Sequence, residues 1–249
     1  MAAFNCYEDA RRAEAYARLE FPGTYYLAYR DLPAIMREHV KGPRAMDFGC
    51  GTGRSTRFLQ RHGFDAVGVD IADDMIAQAR ALDAGGDYRL SDDGDFTQFG
   101  GKAYDLVLSV FTFDNIPTME RKVRLFRGLG GLLKSEGRIV NVVSSPEIYR
   151  HEWASFSTRD FPENQHAGTG DMVRCVITDI VDKRPVQDVV CTDESYQEVF
   201  RNAGLEVIGT YRPLGREDEP YQWVNETRIA PWVIYVLKSA PRAQFAAGR

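Results

Sequence analysis

The feature that most constrains the fold is a run of alternating glycines, Gly49, Gly51 and Gly53, in the stretch AMDFGCGTGRSTRFL. The run separates a short apolar segment, residues 45–48, from a segment with helical spacing of apolar residues. Glycine lowers the steric cost of unusual backbone angles but increases the entropy lost on folding. Three glycines in so short a space therefore predict a strand, a tight turn and a helix, with a ligand that approaches the backbone closely.

Strands and helices continue to alternate after this turn. Apolar runs of strand length follow at 64–70, around Leu90, at 104–110 and at 137–145. Helical spacing of apolar residues is found between them, in ADDMIAQARAL and from 118 to about 134. Such alternation predicts a parallel sheet that is covered by helices on both faces.

The pattern changes after residue 145. The next 26 or so residues are polar and aromatic without a sustained period, which predicts a loop or lid. Residues 171–192 then alternate as strands on either side of 182–185, which predicts an antiparallel hairpin. A helix over 193–204 and two more strands complete the series.

Charge and composition exclude several classes of partner. The formal net charge is −5 and no block of Lys and Arg is present, so nucleic acid is not the expected partner. The four cysteines contain no C-x-x-C pair, the histidines contain no H-E-x-x-H spacing, and no apolar run is long enough to span a bilayer. We expect a cytoplasmic protein without a metal site, a signal segment or a membrane anchor.

The residues around the glycines distinguish between two kinds of ligand. Dinucleotide sites use G-x-G-x-x-G after the first strand of an open α/β sheet. Here Gly49, Gly51 and Gly53 alternate strictly and Asp47 precedes them. A carboxylate at Asp47 would repel a pyrophosphate, so this position favours a ligand with a cationic end.

The segment DFGCGTG, residues 47–53, resembles the first motif of the class I S-adenosylmethionine-dependent methyltransferases, an acidic residue followed by G-x-G-x-G. The resemblance covers about 45–145 and continues into the last strands. It implies an α/β, doubly wound fold with a mostly parallel seven-stranded sheet and an antiparallel last strand. It also implies S-adenosyl-L-methionine as cofactor and S-adenosyl-L-homocysteine as product.

On this resemblance we expect a single methyltransferase domain over residues 1–249. It would begin with an N-terminal helical cap (1–43) and a cofactor-binding core (44–144). An inserted lid and hairpin (145–192) and a C-terminal helix with strands (193–240) would follow.

The family pattern assigns the adenosine part of the cofactor to three places. Asp70 ends the second strand, where the family's acidic residue accepts hydrogen bonds from both ribose hydroxyls, and one bidentate carboxylate suits two neighbouring donors. Ile71 and Met75 would pack on the adenine. In the segment SDDG, Asp92 would meet the adenine amino group while Asp93 supplies backbone, although the common G-D-A pattern is absent.

The other predicted cofactor contacts lie in the glycine turn, at the end of the fourth strand and in the N-terminal cap. They are Asp47, Gly49, Cys50, Gly51, Gly53, Val110, Phe111, Tyr25, Tyr26 and Arg30. Of these, Tyr25, Tyr26 and Arg30 are expected to meet the carboxylate of the cofactor.

The acceptor site is expected just after the fourth strand, in the segment FTFDNIP. Asp114 and Asn115 would orient an N–H or O–H of the acceptor; alternatively they only begin the turn before Pro117. His151 would suit a general base, if the reaction uses one, because histidine is the side chain whose ordinary pKa lies near neutral. The aromatic-rich pieces 4–30 and 146–166 are predicted to cover the carboxyl ends of strands one, four and five.

Asn-Pro-Pro-Tyr, the signature of family members that methylate amino groups of nucleobases and glutamine, is absent here. We therefore expect methyl transfer to N, O or C of a small-molecule metabolite, by a monomer or a homodimer. The alternatives are a sensor that binds S-adenosylmethionine without turnover and a nicotinamide-dependent oxidoreductase on the same sheet, which the Asp47 motif disfavours.

Overall fold

The computed structural model describes residues 21–241. Seven of its strands form one sheet. They are β1 (Arg44–Phe48), β2 (Asp65–Asp70), β3 (Asp87–Leu90), β4 (Tyr104–Val110), β5 (Leu133–Ser144), β9 (Leu205–Tyr211) and β10 (Trp232–Ser239). Their order across the sheet is β3-β2-β1-β4-β5-β10-β9. The first five in this order are parallel neighbours, and β10 runs antiparallel to both β5 and β9. The predicted doubly wound, mostly parallel seven-stranded sheet is confirmed.

Helices cover both faces of this sheet, as continuous burial of its central strands requires. The helices are α1 (Thr24–Arg30), α2 (Leu32–His39), α3 (Arg54–Arg61), α4 (Asp73–Leu82), α5 (Met119–Leu132) and α6 (Asp193–Asn202). One face of the sheet packs against the cap helices α1 and α2 and against α3, and the other face packs against α5 and α6. The expected N-terminal helical cap is therefore present in its described part, while residues 4–20 of the predicted covering lie outside the described residues.

The insert, residues 145–192, forms a second, three-stranded antiparallel sheet. Its strands are β6 (Phe156–Ser157), β7 (Met172–Ile177) and β8 (Val186–Val189). The hairpin joins β7 to β8 through residues 178–185, with Met172 opposite Val189, as the alternating pattern predicts. Short 3₁₀ helices at Pro146–Tyr149 and Pro162–His166 bring the rest of the insert back over the main sheet.

The start of β5 differs from the sequence prediction. The helix was expected to reach about residue 134 and the strand to begin at 137, but α5 ends at Leu132 and β5 begins at Leu133. Leu133 pairs with Tyr104 while Arg138 pairs with Leu106. The four residues between Leu133 and Arg138 therefore form a bulge, and their polar, glycine-containing sequence hides this strand start.

Candidate functional site

A pocket of about 220 Å³ lies at the carboxyl ends of β1, β2 and β4. In an open α/β sheet, ligands bind in this crevice. Its wall combines the turn after β1, the ends of β2 and β4, the segment after β3 and one side of α5. The lining residues that the sequence predicted are Gly49, Cys50, Gly51, Asp70, Ile71, Met75, Asp92, Asp93, Val110, Phe111 and Asn115.

The glycine loop, residues 49–53, forms the floor of this pocket. All three glycines have left-handed backbone angles, with φ of 74°, 53° and 81° at Gly49, Gly51 and Gly53. A Cβ at Gly49 would lie 2.1 Å from Thr112 Oγ1, and one at Gly53 would lie 2.7 Å from the Tyr88 ring, whereas nothing lies within 4 Å of the Cβ position at Gly51. Gly49 and Gly53 are therefore required by packing within the chain, but Gly51 leaves space beside the pocket.

Asp47 lies behind the loop rather than on the pocket surface. Its side chain is fully buried, and Oδ2 accepts hydrogen bonds from Ser55 Oγ at 2.7 Å and Thr56 Oγ1 at 2.6 Å. Burial raises the pKa of Asp47 to about 6, although these two hydroxyls oppose the shift. Asp47 therefore attaches the first turn of α3 to β1 and acts on the pocket through the position of the loop.

Asp70 connects the glycine loop to the start of α4. Its Oδ2 accepts a hydrogen bond from Gly51 N at 2.8 Å, and its Oδ1 accepts one from Ala72 N at 2.9 Å. Burial raises the pKa of this carboxyl. Each carboxylate oxygen can accept a second hydrogen bond, so Asp70 can hold the loop and still accept from two ligand hydroxyls.

The two acidic residues after β3 have different surroundings. Asp93 is paired with Arg121 at 3.0 Å and Arg124 at 2.7 Å, both on α5. Asp92 is exposed and lines the pocket. This division fits the assignment of Asp92 as the hydrogen-bonding side chain and of Asp93 as a contributor of backbone.

The end of β4 brings an aromatic ring to the pocket. Phe111 has φ of 64°, one of two positive values among the described non-glycine residues. Such a conformation costs free energy and persists only where the surroundings enforce it. Phe111 N donates to Val142 O at 2.9 Å, and Asn115 Nδ2 donates to Phe111 O at 3.3 Å, so both sides of the turn hold this residue.

Phe111 also belongs to a group of four packed rings that we call the aromatic wall: Tyr25, Phe111, Phe156 and Trp232. The centroid of Phe111 is 4.5 Å from that of Trp232 and 5.8 Å from that of Tyr25. Tyr25 and Trp232 also pack on Phe156. The wall joins the cap, the insert and β10 at one side of the pocket.

Two of the predicted acceptor residues do not line the pocket. His151 lies in the insert, where Nε2 is 3.1 Å from Glu147 Oε2. Asp114 points toward β5, where its carboxylate accepts from Ser144 N and from Ser144 Oγ at 2.9 Å. Asn115 is the member of the predicted acceptor set that reaches the pocket.

Asp114 belongs to a buried charged cluster instead. Lys122, fully buried on α5, donates to the backbone oxygen of Phe113, and Tyr149 OH donates to Asp188 Oδ2 at 3.0 Å. Burial, reinforced by the charge of Asp188, raises the pKa of Asp114 to about 7, while Ser144 and Lys122 oppose the shift. The cluster connects the turn after β4 to β5, β8 and α5.

The raised pKa of Asp114 predicts a pH-dependent stability. An aspartate that is protonated in the folded state up to about pH 7, against 3.8 for an ordinary aspartate, contributes stability below pH 4 that is lost as the pH rises through 7. We expect Asp114→Asn to remove at least about 1.4 kcal/mol, one pKa unit, from the difference in unfolding free energy between pH 4 and pH 8. Urea titrations at both pH values measure this difference.

The exposed carboxylate of Asp65 provides the control for this experiment. Asp65→Asn is expected to leave the difference between pH 4 and pH 8 unchanged. If Asp114→Asn also retains the full wild-type difference, Asp114 is not the group that titrates.

The three predicted cap residues also lie outside the pocket lining. Tyr25 is buried in the aromatic wall, and Tyr26 packs on Tyr221 with ring centroids 4.9 Å apart. Arg30 pairs with Asp31 at 2.8 Å and with Glu219 at 2.9 Å. Within the described part of the cap, residues 21–43, Tyr29 lines the pocket, one helical turn after Tyr25.

Sequence reasoning missed Tyr29, Arg54 and Ser55, which line the pocket next to the glycine loop. The guanidinium carbon of Arg54 is 5.5 Å from the ring centroid of Tyr29 and 5.2 Å from that of Tyr25. A signal was available, because Arg54 directly follows the last glycine and begins α3. Its cationic side chain is therefore presented at the same end of the pocket as the loop.

Neither a metal site nor a membrane span is found in the described part. Among residues 21–241, no three or more His, Cys, Asp or Glu side chains are grouped to hold a metal ion. None of the helices described for this chain is both long enough and apolar enough to cross a membrane.

Comparison with known proteins agrees with this geometry. Residues 46–141 match the model of a family described as a methyltransferase domain. An uncharacterized methyltransferase from Geobacillus sp. (strain WCH70) is 34% identical over 101 residues, which are 40% of this chain and 46% of that protein. The matched region thus spans less than half of the relative's length.

Solved structures share the fold at low sequence identity. The CcbJ methyltransferase from Streptomyces caelestis is 16% identical, with a TM-score of 0.64 over 92% of this chain and 96% of that one. An S-adenosylmethionine-dependent methyltransferase from Clostridium acetobutylicum ATCC 824 is 14% identical, with a TM-score of 0.62 over 95% of this chain and 100% of that one. Residues 46–141 are therefore similar to a methyltransferase domain, and the solved structures share the fold of the chain.

Proposed function

We propose that the protein transfers a methyl group from S-adenosylmethionine to N, O or C of a small-molecule metabolite, and that the whole chain, residues 1–249, acts as one methyltransferase domain. The observation that carries the proposal is the pair formed by the open Gly51 position and the Asp70 carboxylate at the strand ends. The Gly51 position lets a ligand approach the backbone closely, and the Asp70 carboxylate offers two acceptor atoms to neighbouring hydroxyls. The family match over 46–141 supports the same activity.

When bound, S-adenosylmethionine would supply an electrophilic sulfonium methyl group for transfer to the acceptor. Ile71 and Met75 would pack on the adenine, Asp92 would accept from its amino group, and Asp70 would accept from the ribose hydroxyls. Phe111 would present its aromatic ring to the sulfonium charge. The aromatic wall would keep water from the sulfonium, and the turn after β4, held on both sides, would orient the acceptor.

We propose that Arg54 holds the carboxylate of the cofactor, with Tyr29 and Ser55 beside it. A guanidinium can form two parallel hydrogen bonds with a carboxylate, and Arg54 lines the pocket next to the glycine loop. Arg30, the residue predicted for this role, is paired with Asp31 and Glu219. Because Arg54 lines the pocket and Arg30 does not, we assign this role to a residue of α3 and not to one at the end of α1.

Arg54→Gln tests this role. We expect it to weaken binding of S-adenosylhomocysteine about tenfold or more, because a charge-assisted contact is lost. Binding of 5′-methylthioadenosine, which lacks the amino-acid part, should hardly change in calorimetry. Arg61→Gln, at the exposed end of the same helix, is the control. Equal losses for both ligands would show that Arg54 acts on the fold and not on the carboxylate.

The proposal that the acceptor is a small molecule rests on charge and on the covering segments. The chain has a net charge of −5 without a basic block, so it gains little from counterion release on a phosphate backbone. Filter binding of tRNA and duplex DNA at physiological salt is expected to show no retention. Tight, salt-sensitive retention would favour a nucleic-acid acceptor instead.

Calorimetry with S-adenosylhomocysteine, S-adenosylmethionine and NADH tests the central claim. We expect the first two to bind and NADH not to bind. Incubation of labelled S-adenosylmethionine with metabolite pools then separates an enzyme from a sensor. A sensor would bind the cofactor and produce neither S-adenosylhomocysteine nor a methylated metabolite.

A further inference from the structure

Glu226 is a fully buried carboxylate in the connection between β9 and β10. Its Oε1 accepts hydrogen bonds from Thr24 Oγ1 at 2.6 Å and Ala154 N at 2.7 Å. Its Oε2 accepts from Val224 N at 2.8 Å and Asn225 N at 3.0 Å. The carboxylate thus receives four donors from three separate segments, namely α1, the insert and its own loop.

Thr24 is the residue of the cap that binds both Glu226 and the insert. It is fully buried at the start of α1, where its backbone N donates to Ser155 Oγ at 2.9 Å and its Oγ1 accepts from Ser155 N at 3.1 Å. Its carbonyl oxygen accepts from Trp232 Nε1 at 2.7 Å. Every polar group of Thr24 is therefore bound to the insert, to Glu226 or to β10.

Two residues that follow Thr24 on α1 lie beside or in the proposed cofactor site. Tyr25 packs in the aromatic wall against Phe111, and Tyr29 lines the pocket beside Arg54. The seven residues of α1 form about two turns, and backbone hydrogen bonds connect each turn to the next. A displacement of Thr24 is therefore expected to move the two tyrosines with it.

We propose that Glu226 is a positioning residue that joins the cap, the insert and the β9–β10 loop into one covering unit, and that through Thr24 it sets Tyr25 and Tyr29 at the cofactor pocket. We call the set Thr24, Ser155 and Glu226 the covering joint. The three segments open and close together, because none of them can leave without breaking the hydrogen bonds of a buried carboxylate. The effect on the cofactor rests on the proposed function, whereas the joint itself does not.

The donor pattern makes the joint sensitive to a single atom. All four partners of Glu226 are donors and they are shared two to each oxygen, so an amide in its place would turn its NH₂ group toward two donors whichever way it faced. A buried donor without an acceptor is costly. Glu226→Gln therefore opens the joint with almost no change in side-chain volume.

Hydrogen exchange of the full chain without ligand tests the joint. In Glu226→Gln we expect faster exchange at three places together: residues 24–30, 154–157 and 224–226. Thr24→Val, which removes one hydroxyl and keeps the shape, should give the same pattern at lower amplitude and serves if the first variant does not fold. Faster exchange confined to 224–226 in both variants would overturn the proposal.

Binding of S-adenosylhomocysteine tests the positioning role. We expect Glu226→Gln to weaken it about two- to thirtyfold, the usual range for coupling between sites. In a double-mutant cycle with Tyr29→Phe, the two losses should be non-additive, because the joint acts through Tyr29. Strictly additive losses would mean that Glu226 acts independently of Tyr29 and would overturn the positioning role.

Asn164→Ala is the matched control. Asn164 is also buried in the insert and donates to Tyr149 O at 3.1 Å and Arg174 O at 2.8 Å, but has no contact with α1 among these bonds. Asn164→Ala should lower thermal stability while it binds S-adenosylhomocysteine with nearly the same affinity as the wild type does. If wild-type protein does not bind S-adenosylhomocysteine, the proposed function fails, and the exchange pattern still decides the joint.

Discussion

Gly51→Ala is expected to abolish most of the binding of S-adenosylhomocysteine while the protein remains folded. The φ of 53° at this position costs an alanine about 1–2 kcal/mol. The new methyl group meets no atom of the chain within 4 Å, so no clash adds to this cost. It projects instead into the space where a ligand would approach the backbone. An overpacked contact typically costs about 1–3 kcal/mol, so affinity should fall about 5- to 150-fold in calorimetry.

Gly63→Ala separates the two effects. Gly63 has φ of 86°, its Cβ position is also free within 4 Å, and it is not among the residues that line the pocket. The two variants should therefore lose similar free energy of unfolding, while only Gly51→Ala loses affinity. If both bind S-adenosylhomocysteine as the wild type does, the ligand does not lie against the loop.

The floor of the pocket could be predicted because it is local in sequence. The glycine loop and the end of β2 are each specified by residues within a few positions of one another, and backbone conformation determines where they point. Asp70 was predicted as a pocket residue from its place at the end of a strand. A sequence pattern cannot show its hydrogen bond from Gly51 N, which the structure adds. That bond joins two motifs that are separate in the sequence.

The arginine that we propose for the cofactor carboxylate could not be predicted in the same way. Arg54 directly follows the last glycine, but the sequence does not show that Arg30 lies outside the pocket lining. The direction of Arg30 depends in part on Glu219, which pairs with it at 2.9 Å from the distant connection between β9 and β10. Such a contact is set by the packing of the β9–β10 loop against α1.

The turn after β4 shows a second kind of limit. Asp114 and Asn115 are neighbours in sequence, yet only Asn115 lines the pocket. In the tight 3₁₀ turn Thr112–Asn115 successive side chains point in different directions. The Asp114 carboxylate therefore accepts a hydrogen bond from Ser144 at the end of β5. Sequence order alone places both residues in the right region and cannot assign their directions.

Asp70→Ala is expected to lose affinity for both S-adenosylhomocysteine and 5′-methylthioadenosine. The two ligands share the ribose, and a hydrogen bond to a charged group contributes about 1.5–3 kcal/mol, so each affinity should fall about tenfold or more. Arg54→Gln should affect only the ligand that carries the amino-acid part. The two variants measured with two ligands thus divide the pocket into an adenosine half and an amino-acid half.

Asp70→Asn shows whether the loss comes from the ribose or from the loop. The amide keeps one acceptor, but its NH₂ group must face either Gly51 N or Ala72 N, and both are donors. We therefore expect Asp70→Asn to bind both ligands almost as poorly as Asp70→Ala, with faster hydrogen exchange at residues 51 and 72. Asp74→Asn, an exposed carboxylate on α4, should match the wild type. Unchanged affinity in Asp70→Ala would place the ribose contact on another residue, whereas lost affinity with unchanged exchange in Asp70→Asn would mean that Asp70 acts on the ribose alone.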